Sequence, residues 1–122
     1  DSGAFLDIAS AGHPPALLLH ADGRIEEIAV RGTLLGGVRR ITLTQRRIRL
    51  HPGDAVVLYT DGVTEARGAD GLFGEQRLVD TLRGQAGHSA QQITDHLQAT
   101  VAAYRTTPAA DDLAILVVRL HR

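Results

Sequence analysis

An apolar run that ends in an acid and a glycine constrains this chain most. In Gly53-Asp54-Ala55-Val56-Val57-Leu58-Tyr59-Thr60-Asp61-Gly62, a turn-forming Gly-Asp pair leads into five apolar and aromatic residues and then Thr-Asp-Gly. An apolar run of this length, bounded by turn residues at both ends, reads as a strand buried on both faces. The strand carries Asp61 out at its C-terminal end, into an Asp-Gly turn where Gly62 is expected at positive φ. A carboxylate at the rigid end of a sheet is well placed for a cation. A plain turn uses the same dipeptide, and this segment alone does not separate the two readings.

The far end of the chain repeats the arrangement in mirror order. Asp111-Asp112-Leu113-Ala114-Ile115-Leu116-Val117-Val118 puts two carboxylates immediately before an apolar strand. If the two strands are antiparallel neighbours, Asp61 leaves the sheet at the edge where Asp111 enters it. Two such acids suit a hard divalent cation, which takes oxygen ligands. A solvated loop or a cap is the alternative for Asp111 and Asp112.

Several further segments fall in order around these two. Ala11-Gly12-His13-Pro14-Pro15-Ala16-Leu17, Leu34-Leu35-Gly36, Pro52-Gly53-Asp54 through Tyr59-Thr60-Asp61-Gly62-Val63-Thr64-Glu65-Ala66, Leu72-Phe73-Gly74 and Asp111-Asp112-Leu113 succeed one another along nearly the whole chain. This set resembles the metal-dependent PP2C-type (PPM) serine/threonine phosphatases, in the bacterial branch typified by SpoIIE and RsbU. Phosphatases of this kind carry a Gly-Asp-x-x-x-Asp strand and an Asp-x-x-Gly-His-Gly segment upstream, and neither is in these residues. The chain, taken as a single unit over 1–122, is therefore expected to be the C-terminal half of such a domain and to be inactive alone.

The resemblance implies a fold and a chemistry. The fold class is α+β, a PP2C-like layered β-sandwich flanked by helices, to which this chain contributes antiparallel strands and two late helices. Two Mn²⁺ or Mg²⁺ ions would activate a water for in-line attack on phosphorus, without a phosphoenzyme. Matched motif to motif, Asp61 and Asp111 would be carboxylate ligands of one metal and would act through it. Gly62 would shape the turn, and Asp112 would lie behind the ligands or cap the strand. His13 sits in a rigid Gly-His-Pro-Pro bend that serves structure as readily as chemistry. Glu65, four residues past Asp61, reaches the site through water or remains a surface group. The substrate implied is a phosphoserine or phosphothreonine protein, an anti-sigma-factor antagonist of the STAS type. Two other classes stay open at this stage. One is a non-catalytic regulatory domain that keeps the fold and binds a partner. The other is an unrelated β-rich binding domain with Asp61 and Asp111 far apart.

Composition narrows the surroundings. A net charge of −1 over 122 residues leaves no electrostatic footprint for nucleic acid or an anionic membrane. With no cysteine there are neither disulfides nor thiolate metal sites, which is compatible with cytoplasm. No apolar run approaches the roughly 18 residues that span a bilayer. A dimer is compatible with the sequence. His20, His51, His88, His96 and His121 are scattered without the spacing of a zinc site. All 13 basic residues are arginine, and Arg39, Arg40, Arg46, Arg47 and Arg49 fall most simply on the wet face of a strand.

The order of elements follows from periodicity and turn chemistry. Strands are expected over Phe5 to Ala9 and Ala16 to His20, the latter returning through Ala21-Asp22-Gly23-Arg24 into Ile25 to Val30. Ile41, Leu43, Ile48 and Leu50 mark an extended region whose alternation changes phase between Gln45 and Arg47, as a bulge or turn requires. Residues 67–71 read as loop. A helix from near Gly74 to Gly84 or Gly87 carries Leu78 and Leu82 inward. A second begins at the capping-box spacing Ser89-Ala90-Gln91-Gln92, with Ile93, Leu97, Val101 and Tyr104 on one face, and cannot pass Pro108.

Overall fold

A computed structural model describes residues 3–10, 16–28, 33–35, 40–42, 44–108 and 113–121. In chain order they form strands β1 (Ala4–Ser10), β2 (Ala16–Leu19), β3 (Ile25–Ile28), β4 (Thr33–Leu35), β5 (Arg40–Thr42), β6 (Thr44–Leu50) and β7 (Ala55–Tyr59). These are followed by a short helix α1 (Asp61–Thr64), strands β8 (Arg67–Gly68) and β9 (Gly71–Leu72), helices α2 (Gly74–Leu82) and α3 (Ala90–Tyr104), and strand β10 (Ile115–Arg119). Every pairing is antiparallel. The central sheet has the order β10-β7-β2-β3, and β1 pairs with β6 in a separate ribbon.

Alternation along β2 and β7 builds two cores from one sheet. Successive side chains point to opposite faces. Leu17, Leu19, Ala55, Val57 and Tyr59 therefore meet α2 and α3 through Leu78, Leu82, Ile93, Leu97 and Val101. Ala16, Leu18 and Val56 face the other way and pack with Ile8, Ile48 and Leu50 of the β1–β6 ribbon. Being covered on both sides is why β7 reads in sequence as an unbroken apolar run. At the sheet edge, β10 turns Ile115 and Val117 toward the helices and leaves Leu116 59% exposed and Val118 37% exposed on the opposite face.

Local chemistry explains the ends of the elements. At the start of α3 the Gln92 N–H donates to Ser89 Oγ at 3.1 Å, and the Ser89 N–H donates to Gln92 Oε1 at 2.8 Å, completing the expected capping box. The helix stops at Tyr104, ahead of Pro108, where the Thr106 N–H turns away to the Arg67 carbonyl. Ahead of β7, Gly53 at φ 92° makes the turn that lets its N–H reach the Leu120 carbonyl at 2.8 Å.

Two expectations are corrected here. The register between β1 and β6 runs unbroken from Ala4 opposite Leu50 to Ser10 opposite Thr44, so no bulge lies between Gln45 and Arg47. The chain instead changes partner, since Thr42 pairs with Thr33 of β4 and Thr44 with Ser10 of β1. Residues 67–71, expected as loop, include a two-rung hairpin with Arg67 opposite Leu72 and Gly68 opposite Gly71. The arginines at Arg46, Arg47 and Arg49 are solvated as expected. Arg47 pairs with Asp7 at 2.7 Å, and the Arg47 and Arg49 guanidiniums lie over the exposed Phe5 ring. The side chains of Arg39 and Arg40 lie outside the described residues.

Gly68 is required by close packing. A Cβ there would sit 2.5 Å from the Tyr104 carbonyl oxygen and 2.6 Å from its ring. That ring is itself fixed edge-on to Phe73 at 5.5 Å, under the Arg77 guanidinium, with its hydroxyl donating to the Gly71 carbonyl. Gly68→Ala is expected to destabilise the fold by about 2 kcal/mol through overpacking. Chemical denaturation measures this, and a change within experimental error would show that the hairpin shifts freely.

Candidate active site

The C-terminal end of β7 is fixed from both sides. β7 and β10 are antiparallel neighbours with Tyr59 opposite Ile115, which meets the condition that the sequence left open. Beyond the last ladder rung, the Thr60 N–H donates to the Ala114 carbonyl at 3.1 Å, and the Ala114 N–H donates to Thr60 Oγ1 at 3.0 Å. Thr60 thus extends the pairing by one rung with its hydroxyl. That hydroxyl makes no capping bond to the helix it precedes.

Asp61 then opens α1 rather than a tight turn. The Val63 N–H donates to the Thr60 carbonyl and the Glu65 N–H to the Asp61 carbonyl, while the Val63 side chain is completely buried in the helix-side core. Held this way, Asp61 presents an exposed carboxylate at the sheet end. Gly62 is corrected accordingly. It is not among the described glycines at positive φ, because the strand passes directly into a helical turn that needs no left-handed residue. Glu65 is exposed on the same short helix segment. His13, Asp111 and Asp112 lie outside the described residues, which resume at Leu113, beside Ala114 and hence beside Thr60.

As a metal donor set, the described part of the site is partial. The Asp61 carboxylate is a hard, exposed oxygen donor on a rigid support, and such donors suit Mn²⁺ or Mg²⁺. Among the described residues, however, no group of three or more His, Cys, Asp or Glu side chains could hold a metal ion. A cation held at Asp61 would need further donors from outside them.

Two features of β7 were not singled out in sequence. Asp54, at the opposite end of the strand, is only 3% exposed and accepts hydrogen bonds from the Ala21 and His51 N–H groups, each at 2.9 Å. The Pro-Gly-Asp turn was the available signal. Tyr59, next but one to Asp61, has its phenol pushed from 10.0 up to about 12, by burial first and then by the carboxylates of Glu75, Glu27 and Asp61. The folded state therefore holds this proton more tightly than the unfolded chain. Its contribution to stability is intact below pH 10 and is lost as the pH rises toward about 12. Tyr59→Phe is expected to lose less stability than the parent across that window. Urea midpoints at a series of alkaline pH values test this, and parallel slopes would contradict it.

The family model described as stage II sporulation protein E (SpoIIE) matches residues 2–121. The chain belongs to the SpoIIE family. It is 28% identical to phosphoserine phosphatase RsbU of Bacillus subtilis over 112 residues, which cover 91% of this chain and 33% of RsbU. The SiaA-PP2C domain of Pseudomonas aeruginosa is 29% identical with a TM-score of 0.69, over 93% of this chain and 46% of that one. The SpoIIE phosphatase domain from Bacillus subtilis, presoaked with Mn, superposes with a TM-score of 0.77 at 19% identity, over 98% of this chain and 52% of that one. The fold of this SpoIIE-family chain is that of a PP2C-type phosphatase domain, mixed α and β with antiparallel sheets. The chain spans a third of the RsbU polypeptide and about half of each of the two solved domains. Among its described residues, no helix is long and apolar enough to cross a membrane.

Proposed function

We propose that these residues form part of the active site of a metal-dependent protein phosphatase that hydrolyses phosphoserine or phosphothreonine. The observation that carries this reading is the antiparallel pairing of β7 with β10, extended by Thr60 and Ala114. That pairing supports Asp61 and Asp111 approaching one another at a single sheet end. Asp61 and Asp111 would hold Mn²⁺ or Mg²⁺, with Asp112 behind them and Gly62 allowing close approach at the start of α1. Bound metal would supply Lewis-acid activation of water and charge neutralisation at the phosphoryl group. The chain's own part is to hold Asp61 rigid, through Thr60 on β10 and through buried Val63. Glu65 and His13 are peripheral in this reading, available for water-mediated contacts.

The substrate that best accords with SpoIIE-family membership is a small phosphorylated anti-sigma-factor antagonist of the STAS type, dephosphorylated in the cytoplasm. Activity belongs to a polypeptide that also provides the other half of the domain. The 122 residues alone are expected to bind metal weakly and to release no phosphate, since the family resemblance puts the carboxylates that bridge the two metals in the upstream half of the domain. The deciding experiment measures phosphate release from a phosphoserine STAS protein by the natural polypeptide, with Mn²⁺ and with EDTA. Release that requires the metal supports the assignment. Failure of metal to elicit any release would favour a non-catalytic domain that uses the same fold to bind a partner.

A further inference from the structure

The two edges of the central sheet are chemically unlike. β3 closes it on one side and carries Glu26 and Glu27, both exposed. β10 closes it on the other as Ile115-Leu116-Val117-Val118, with no charge before Arg119 and no bulge in its register with β7. An edge that stays in water is ordinarily blunted by charge, proline, a bulge or a covering element, because its open N–H and C=O groups otherwise recruit another strand. β3 is built that way and β10 is not. Among the described residues, no strand pairs with the outer edge of β10.

Burial falls off in the same direction across the face that packs on the β1–β6 ribbon. Leu18, Val56 and Val118 lie in one row of that face, and are 5%, 0% and 37% exposed. In the next row Leu58 is partly buried, and Leu116 opposite it is 59% exposed. The ribbon thus covers β2 and β7 and stops short of β10. An open edge and an open apolar face coincide on one strand.

We propose that β10 is an interior strand of the working protein, its outer edge paired and its Leu116–Val118 face covered by the remaining half of the same domain, carried on the same polypeptide. Length favours this occupant. The chain spans 52% and 46% of the two solved domains on which it superposes, so a domain of that size packs about as much chain again against these residues. A second copy fits less well. Two β10 strands paired about a two-fold axis would satisfy both edges, yet would leave that face of each copy without a layer over it and set the two Asp61 ends far apart. Direction also favours the same polypeptide. Every described pairing is antiparallel, and a strand antiparallel to β10 runs the same way as β7. It leaves the sheet beside Ile115, at the end where Asp61 stands. The packing that closes the apolar face therefore also carries the rest of the domain to the site.

The test uses hydrogen exchange and thermal melting of the natural polypeptide. Alternate amides of β10 point toward β7 and the others toward the outer edge. The outward amides are expected to exchange as slowly as the inward ones, at every protein concentration. Free exchange of the outward amides overturns the proposal, and protection that is lost on dilution overturns it in favour of a second copy. Leu116→Ala is expected to lower the melting temperature by about 5 to 10 °C, as truncation in a core does. A shift within about 1 °C, the usual result at an exposed site, shows the face to be open and overturns its burial. Neither readout involves phosphate release. A natural polypeptide that protects β10 but hydrolyses no phosphoserine retains this interface and sinks only the phosphatase assignment.

Discussion

Asp61→Asn is expected to lower Mn²⁺-dependent phosphate release by at least about a thousandfold while scarcely changing stability. The asymmetry follows from where the residue sits. Asp61 is exposed, its carboxylate makes no hydrogen bond among the described residues, and its backbone is held by Val63, Glu65 and the Thr60–Ala114 rung. Amidation therefore removes nothing that the fold uses, and surface changes of this kind usually stay within about 0.5 kcal/mol. A metal ligand is another matter. Replacing an anionic oxygen donor by a neutral amide weakens a hard-cation site, and each 1.4 kcal/mol lost from the transition state is about tenfold in rate. The natural polypeptide should be assayed beside its variant, with Mn²⁺ affinity measured by calorimetry and unfolding by urea. Full turnover in a variant of unchanged stability would remove Asp61 from the site. Lost turnover accompanied by a large fall in stability would mean that the carboxylate has a structural role.

Asp54→Ala is expected to do the reverse, costing about 3 kcal/mol of stability. Both of its carboxylate oxygens are occupied, Oδ1 by the Ala21 N–H and Oδ2 by the His51 N–H. The same residue bonds through its main chain to His51 and Leu120. It therefore ties the β2–β3 hairpin, the turn before β7 and the end of β10 together at the edge of the sheet remote from Asp61. Truncation strands two N–H groups in a region where the acceptor was almost wholly buried, and hydrogen bonds to a charged group contribute about 1.5–3 kcal/mol each. In a domain of this size that corresponds to a melting temperature lower by about 10 °C. Asp54→Asn, which keeps one acceptor oxygen, should cost about half as much. Equal melting temperatures for parent and Asp54→Ala would mean that water replaces the carboxylate without loss.

Both predictions concern ends of the same strand, and the two ends were unequally legible. Asp61 stood out because a single acid followed an apolar run, a contrast visible along one dimension. Asp54 did not, because a Pro-Gly-Asp turn is ordinary and the N–H of Ala21, 33 residues away, is not a neighbour in sequence. The burial of the Tyr59 phenol was invisible for the same reason, since the helices that cover its face of the sheet follow it only later in the chain. Gly62 was read from a frequent dipeptide preference, which a following helical turn overrode.

What the residues determined unaided was whatever local physics controls. The capping box at Ser89 and Gln92, the inward face of Leu78 and Leu82 and the hairpin through Gly23 depend on neighbours within a few positions, and the unbroken apolar run of β7 marks it as a strand to be covered on both faces. Only the tertiary structure decided that the chain changes partner from β4 at Thr42 to β1 at Thr44, and that β10 lies beside β7 with Ile115 opposite Tyr59. Strand partners are chosen by long-range burial and backbone pairing, and many pairings satisfy the same alternating pattern until all the elements compete for one core.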